Sequence, residues 1–296
     1  MNLLELFQRF QQNEEAIHFF ERVRWKNKVI CPYCESDKTC KHHVKGRKRW
    51  QCWGCHRPFS VTVGTIFHYT HIPLNKWFML IALMLNAKKG LSACQAARDL
   101  GMRRPTVWSM MHRIRKAMET SQDELLKGIV EMDETYIGGK PRKGKKNDDG
   151  TPNLPGRGTK KTPIVGMVER GGSVKTSVAS KYELKGKDLK KLVRKGIDLE
   201  ETILVTDEYK GYLGMKNLIC HLSVNHQKTY ADGDVHTNTI ESFWAILKRG
   251  MIGQFHKVSK KYLQNYLHEF EYRYNHRNAN NSVTFENLLE RTCYGR

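Results

Sequence analysis

Gly128-Ile-Val-Glu-Met-Asp-Glu-Thr-Tyr-Ile137 has the apolar, β-branched run of a strand, with an acid, Asp133, where that run ends. Thr202-Ile-Leu-Val-Thr206 repeats the arrangement and delivers Asp207 at its end. Thirty-four residues later Glu241 opens an amphipathic helical segment, Ile240-Glu-Ser-Phe-Trp-Ala-Ile-Leu-Lys-Arg249, and Lys248 follows Glu241 by seven positions. Seven steps of about 100° return to the same helix face, so the carboxylate and the ammonium point to one side. From about residue 126 onward, short β-like runs alternate with helical ones up to about residue 277, which predicts an α/β domain.

Singly these acids say little. An aspartate at a strand end ordinarily serves a turn, and a glutamate opening a helix ordinarily serves the helix dipole. Their order is the informative feature, because phosphodiester chemistry uses such a set. Two Mg²⁺ ions about 3.5–4 Å apart activate an attacking oxygen and stabilise a leaving one. Mg²⁺ keeps several waters, so two or three carboxylates from separate elements suffice to hold it, and a nearby cation can grip a phosphate. Glu131 shares the strand face of Asp133, while Glu134 and Glu208 are immediate neighbours of the two aspartates. Asp133 and Asp207 are preferred because each stands where its apolar strand ends.

Upstream, Cys31-Pro-Tyr-Cys34 and Cys52-Trp-Gly-Cys55 are two C-x-x-C knuckles separated by seventeen residues. Each places two thiolates on one turn, and together they complete a tetrahedral four-sulfur Zn²⁺ site with no open position, hence a structural one. Strand-like Phe59-Ser-Val-Thr-Val63 follows, so a zinc ribbon is the expected form. Cys40, His42, His43 and His56 are nearby substitutes that spacer or surface roles explain better. Arg47, Lys48 and Arg49 make the module basic enough to touch phosphates.

Between these regions, Leu91–Lys116 has helix-turn-helix character. Ser92 is the expected N-cap, Gly101 the turn and Pro105 a first-turn residue of the second helix. Arg103, Arg104, Thr106 and Arg113 are its candidate DNA-facing groups. Ahead of the cysteines, residues 3–25 have helical spacing of apolar side chains. A basic insert at 140–162, with Gly and Pro among its lysines and arginines, is expected to be a mobile loop.

The bulk numbers agree. Among 296 residues, 51 Lys and Arg against 30 Asp and Glu give a net charge of +21, which suggests a polyanionic partner. The longest apolar run, Trp77 to Leu85, is far too short for a bilayer, and no secretory signal pattern opens the chain. Paired C-x-x-C cysteines point to a reducing compartment, so a cytoplasmic protein is expected.

Taken together, the chain resembles the insertion-sequence DDE transposases that join an N-terminal zinc ribbon to a ribonuclease H-like, integrase-type catalytic domain. The resemblance rests on the two knuckles, Gly64-Thr-Ile-Phe67, Met132-Asp-Glu-Thr-Tyr-Ile-Gly-Gly139, Thr206-Asp-Glu-Tyr209, His236-Thr-Asn-Thr-Ile-Glu-Ser-Phe-Trp244, Lys248-Arg249 and Phe270-Glu-Tyr-Arg-Tyr-Asn275. It implies a mixed sheet flanked by helices, with Asp133, Asp207 and Glu241 converging on one edge to hold two Mg²⁺ (or Mn²⁺) ions. Lys248 matches the basic residue expected after the glutamate, and Lys248 and Arg249 are candidate DNA contacts. Some relatives carry Asn as the third member, and Asn238 lies one turn before Glu241. The seven-residue link to Lys248 favours Glu241, because the same offset from Asn238 reaches Ala245. Asn238 and His236 are then supporting residues.

The expected division is a helical segment at 1–27, the ribbon at 28–70, a helix-turn-helix-like region at 71–122, the catalytic domain at 123–281 and a tail at 282–296. The implied activity is binding of an element's terminal inverted repeats, followed by metal-dependent cleavage and strand transfer into target DNA. Because an element has two ends, a homodimer or larger assembly on double-stranded DNA is expected, and the resemblance implies a nucleoid-associated protein of a bacterial host. Two alternatives stay open at this point: a zinc-ribbon/helix-turn-helix regulator without catalysis, and a ribonuclease H-like nuclease that cuts without joining.

Overall fold

The computed structural model describes residues 3–44, 47–120, 124–139, 161–180, 184–224 and 235–294. The chain divides into two compact units, one of residues 1–118 with 278–296, the other of residues 119–277. The basic insert expected at 140–162 lies almost wholly outside the described residues.

In the first unit two helices, α1 (Leu3–Arg9) and α2 (Asn13–Trp25), replace the single helix that the apolar spacing predicts. The chain restarts at Gln12, whose amide donates to Glu15 in a reciprocal cap. The ribbon is a three-stranded antiparallel sheet of β1 (Thr39–Val44), β2 (Arg47–Cys52) and β3 (Pro58–Phe59). Of the expected strand at 59–63 only Phe59 pairs, together with Pro58 before it; the rest turns. Helices α3 (Leu74–Asn86), α4 (Ala93–Asp99) and α5 (Arg104–Ala117) follow. Ser92 accepts from the Gln95 amide at the start of α4, and Gly101 takes φ +59° at the turn, as the sequence predicts.

The last helix in the chain, α9 (Asn281–Thr292), also belongs to this unit, which corrects the expectation of a terminal tail and of a catalytic domain running to 281. Its Phe285 packs edge-on against Phe78 at 5.6 Å, within an aromatic cluster of Phe10, Phe19, Phe20, Phe67 and Trp77. The Ile66 amide donates to the Thr292 carbonyl. Burial of Phe285, Leu288 and Leu289 is the physical reason this segment is ordered rather than a tail. The expected pieces 1–27, 28–70 and 71–122 thus share one core with the C-terminal helix.

The second unit is a five-stranded mixed sheet, in the order β6-β5-β4-β7-β8. Its strands are β4 (Leu126–Ile137), β5 (Thr162–Glu169), β6 (Val174–Val178), β7 (Ile197–Asp207) and β8 (Cys220–Val224). The β4–β5 and β5–β6 pairs are antiparallel, whereas β7 lies parallel to both β4 and β8. Helix α6 (Gly186–Gly196) covers one face, where Leu189 and Val193 meet Val130, Met132 and Leu204. Helices α7 (Asn238–Gly253) and α8 (Lys260–Asn275) cover the other, where Ile240, Trp244 and Leu267 meet Ile164 and Val168. This is the mixed α/β sheet flanked by helices that the resemblance implies.

The edge strand β6 is closed by side chains rather than by another strand. On α8, Gln264 accepts from the Val178 amide, Glu271 from Thr176, and Asn275 from Val174. Gln264 and Asn275 also donate back to the Thr176 and Val174 carbonyls. These positions recur on one helix face, and they satisfy backbone groups that would otherwise invite a foreign strand.

Candidate catalytic site and metal centre

The four knuckle cysteines come together as the spacing predicts. Their Sγ atoms all lie within 4.8 Å of one another, with Cys31–Cys55 at 3.7 Å and Cys34–Cys52 at 3.6 Å. The amides of Gly54 and Cys55 point at the Cys52 sulfur and that of Tyr33 at Cys31, the pattern that stabilises thiolates on a knuckle. Amide donation from Cys55 and Gly54 pulls the Cys52 thiol down to about 7, although burial opposes it. At Cys34 an amide hydrogen bond from Ser36 is outweighed by burial and three sulfur neighbours, which push that thiol up to about 12. Four sulfurs this close ionise together only around a cation. Cys40, His42 and His56 are not members of the cluster.

In the second unit, Met132 of β4 pairs with Thr206 of the parallel strand β7, so Asp133 and Asp207 sit at the same level on adjacent strands. Asp207 ends β7 as expected, whereas β4 runs on past Asp133 to Ile137 because it continues to pair with β5. Burial, then the charges of Glu134 and Asp207, push the Asp133 carboxyl up to about 7; hydrogen bonds from the Glu134 amide and Trp244 resist this. Trp244 Nε1 donates to Asp133 Oδ2 at 3.1 Å. The residue paired with Asp133 on β5 is Gly166, and a Cβ there would lie 2.5 Å from the Trp244 ring. Glycine at 166 therefore makes the space through which α7 reaches the aspartate. Asp207 accepts from the Tyr209 amide at 3.0 Å. On the opposite sheet face Glu134 accepts from the buried Tyr212 hydroxyl at 2.8 Å.

Glu241 stands in the first turn of α7, exposed, and accepts from Thr237 Oγ1 at 3.2 Å. It lies one turn before Trp244, on the helix that touches Asp133. Lys248 and Arg249 are exposed further along α7. Lys248 lines a cavity of about 270 Å³ beside Lys161 and Lys257, above Met251 and Ile137. Among the described residues the three acids do not gather within 4.8 Å as the cysteines do. Asn238 is exposed at the helix start, and its amide lies 3.4 Å from His236 Nδ1.

Sequence reasoning missed what fixes α7. Glu131, wholly buried, accepts from the amides of Thr239 at 2.8 Å and Ile240 at 2.9 Å, and from Thr239 Oγ1. A carboxylate thus caps the helix N-terminus from the adjacent strand. Arg170 Nε balances it at 2.7 Å, and Arg170 Nη2 donates to the His236 carbonyl at 2.9 Å. His236 accordingly supports the helix entry through Arg170. The available signal was Glu131 two positions before Asp133, on the same strand face.

Arg113 is the clearest departure among the expected DNA-facing groups. Its guanidinium donates to the His68 carbonyl at 2.8 Å and sits over Trp77, so it braces the first unit. Arg103 and Arg104 are exposed where α5 begins, and Thr106 is half-buried. Arg49 is exposed on β2, whereas the side chains of Arg47 and Lys48 lie outside the described residues.

Residues 125–275, half of the chain, match the model of the ISXO2-like transposase domain. The chain belongs to that transposase family. Residues 11–58 of the transposase match the transposase zinc-ribbon domain, which agrees with the sulfur cluster. A curated relative, the uncharacterised protein in transposable element ISH50 of Halobacterium salinarum, is 27% identical over 275 residues. The match covers 89% of this transposase and 91% of that relative. Its archaeal source leaves the expectation of a bacterial host without support. Crystal structures of the Mos1 strand transfer complex and pre-cleavage transpososome align at 14% and 13% identity. Their TM-scores are 0.30 and 0.29, over 74% and 73% of this chain and 78% of each of theirs. Among the described residues, no helix of the transposase is long and apolar enough to cross a membrane.

Proposed function

We propose that this transposase binds the terminal inverted repeats of its element and performs strand cleavage and strand transfer at Asp133, Asp207 and Glu241. The observation that carries this reading is the placement of Asp133 and Asp207 on adjacent parallel strands, with Asp133 held near neutrality by burial and by its acidic neighbours. Two carboxylates that repel each other in a half-buried site are matched to hard cations. Asp133, Asp207 and Glu241 would hold two Mg²⁺ or Mn²⁺ ions, which supply an activated attacking oxygen and stabilise the leaving one.

The chain's own groups do the rest. Trp244 fixes the orientation of Asp133, and Glu131 with Arg170 fixes the helix that carries Glu241. Lys248 and Arg249, on the exposed side of that helix, grip the DNA backbone. Arg49, Arg103 and Arg104 contribute sequence-independent phosphate contacts in the other unit. The structural zinc holds the ribbon through Cys31, Cys34, Cys52 and Cys55. A homodimer or larger assembly brings two element ends together.

The test is a labelled element-end duplex incubated with the purified transposase and Mg²⁺. Joined products are expected, and Asp133→Asn should lower the rate by at least ~10³-fold, as for removal of one member of a concerted catalytic set. Nicked products without joined ones would favour a nuclease. Equal activity in Asp133→Asn and the native protein would overturn the site.

A further inference from the structure

The ribbon carries three tryptophan or tyrosine side chains near its metal end, and only one serves the fold. Trp50, on β2, packs 5.8 Å from Trp25 and donates its indole N–H to Glu21 at 2.8 Å. Three positions on, Trp53 occupies the second knuckle and is 61% exposed. Tyr33 occupies the equivalent turn of the first knuckle and is 44% exposed, with the Arg57 guanidinium 5.3 Å from its ring centre. The knuckles abut: a Cβ at Gly54 would lie 3.2 Å from Ser36, and the Trp53 amide donates to the Lys38 carbonyl at 2.9 Å. Both rings thus leave the same zinc-bearing end of the module.

Neither ring is needed to hold the metal, because four thiolates and their amides already do so. An exposed indole in this position offers a flat π face to solvent. Its surroundings select the partner. Lys38, whose carbonyl accepts from the Trp53 amide, is exposed, and Arg57 stands over Tyr33. The whole chain carries a net charge of +21, which favours a polyanion over an average protein. Aromatic faces stack on base faces, and base faces are available only where bases are unpaired.

We propose that the zinc end of the ribbon binds unpaired bases of DNA, with Trp53 and Tyr33 stacking on them and Arg57 holding the adjoining backbone. This rests on the reading of the ribbon as a DNA-binding module. It extends that reading from phosphates to bases, and from intact duplex to opened strands.

The experiment uses the full-length, zinc-loaded chain and fluorescence anisotropy with two probes of identical duplex sequence, one blunt and one with a short single-stranded overhang. The native protein should prefer the overhang. Trp53→Ala should lower affinity for the overhang probe by about 5- to 100-fold while leaving the blunt probe and the salt slope nearly unchanged. Trp53→Phe should retain most of the preference, and Tyr33→Ala should lose part of it. Zinc content, measured on every variant, must stay at the native level for the comparison to count. If Trp53→Ala keeps the native ratio between probes, the proposal is wrong. If it instead changes the oligomeric state with both affinities intact, the patch is a contact between protein chains and the proposal is equally wrong. Failure of the native protein to bind either probe would overturn the DNA-binding reading itself.

Discussion

The two candidate metal centres are assembled in opposite ways. At the zinc site two turns of four residues each carry two sulfurs, and folding has only to bring one turn against the other. At the acidic site three carboxylates come from a strand, a second strand whose aspartate lies 74 residues on, and a helix. Their relative placement depends on the register of β4 against β7 and on the docking of α7. The sulfurs gather within 4.8 Å of one another, and the acids are not drawn so close. Local geometry builds the first site. The second depends on tertiary contacts, with mutual repulsion stored between Asp133, Glu134 and Asp207.

Metal removal should expose this contrast most sharply. Binding free energy at a structural four-cysteine site is on the order of 10 kcal/mol, so a chelator that strips zinc should abolish the ribbon's folded signal. Residues 119–277 should retain their cooperative melting transition, as followed by calorimetry with and without chelator. A single transition lost as a whole would mean that the two units do not melt separately.

Next in size is the brace on α7. Glu131→Ala removes one partner of the half-buried Arg170 and strips the cap from Thr239 and Ile240. A loss of about 3–5 kcal/mol is expected in denaturant unfolding of the second unit. Activity should fall further than unfolding explains, because Glu241 rides on the freed helix. A variant with native stability would remove Glu131 from this account.

The stored repulsion should appear as a pH dependence. Asp133 carries its proton below about 7, and cation binding requires that proton to leave. Mn²⁺ affinity of the second unit, measured by calorimetric titration, should therefore rise about tenfold per pH unit below 7 and level off above it. Without divalent cations the sign for folding is the reverse. The unfolded carboxyl ionises near 3.8 and the folded one near 7, so stability falls as pH rises through that window. Glu271, pushed up to about 7 chiefly by burial, adds in the same direction. Asp133→Asn should accordingly raise the melting temperature at pH 8 and leave it nearly unchanged at pH 3.

The smallest effect separates two arginines on one helix. Arg104→Ala should reduce the log–log salt slope of DNA binding by about one. Arg113→Ala should leave that slope alone and instead lower the stability of the first unit, since its guanidinium serves His68 and Trp77. A reduced slope for Arg113→Ala would restore it to the DNA-facing set.

These regions also differ in how openly the sequence declares them. The knuckles, the N-cap Ser92, the Gly101 turn and both aspartate-bearing strands follow from spacing and local propensity, which act over a few residues. Of the role of Glu131 only its place on the face of Asp133 was legible, because an acid that caps a helix more than a hundred positions away leaves no further local sign. Arg113 misled for a related reason: basic side chains look alike until packing assigns one of them to a carbonyl. Gly166 gave no sign of making way for the Trp244 ring, and Phe285, Leu288 and Leu289 gave none of entering the core of the first unit.

By itself the sequence determined that this transposase carries a four-sulfur zinc ribbon, a basic helical middle and an α/β domain bearing ordered acids. Those features are set by residue type and short-range periodicity. Only the tertiary structure decided that Asp133 and Asp207 stand side by side on parallel strands, that Trp244 reaches Asp133 across Gly166, and that Glu131 holds the helix bearing Glu241. Each of these depends on strand register and helix docking, free energies distributed over the whole core, which no short stretch of chain encodes.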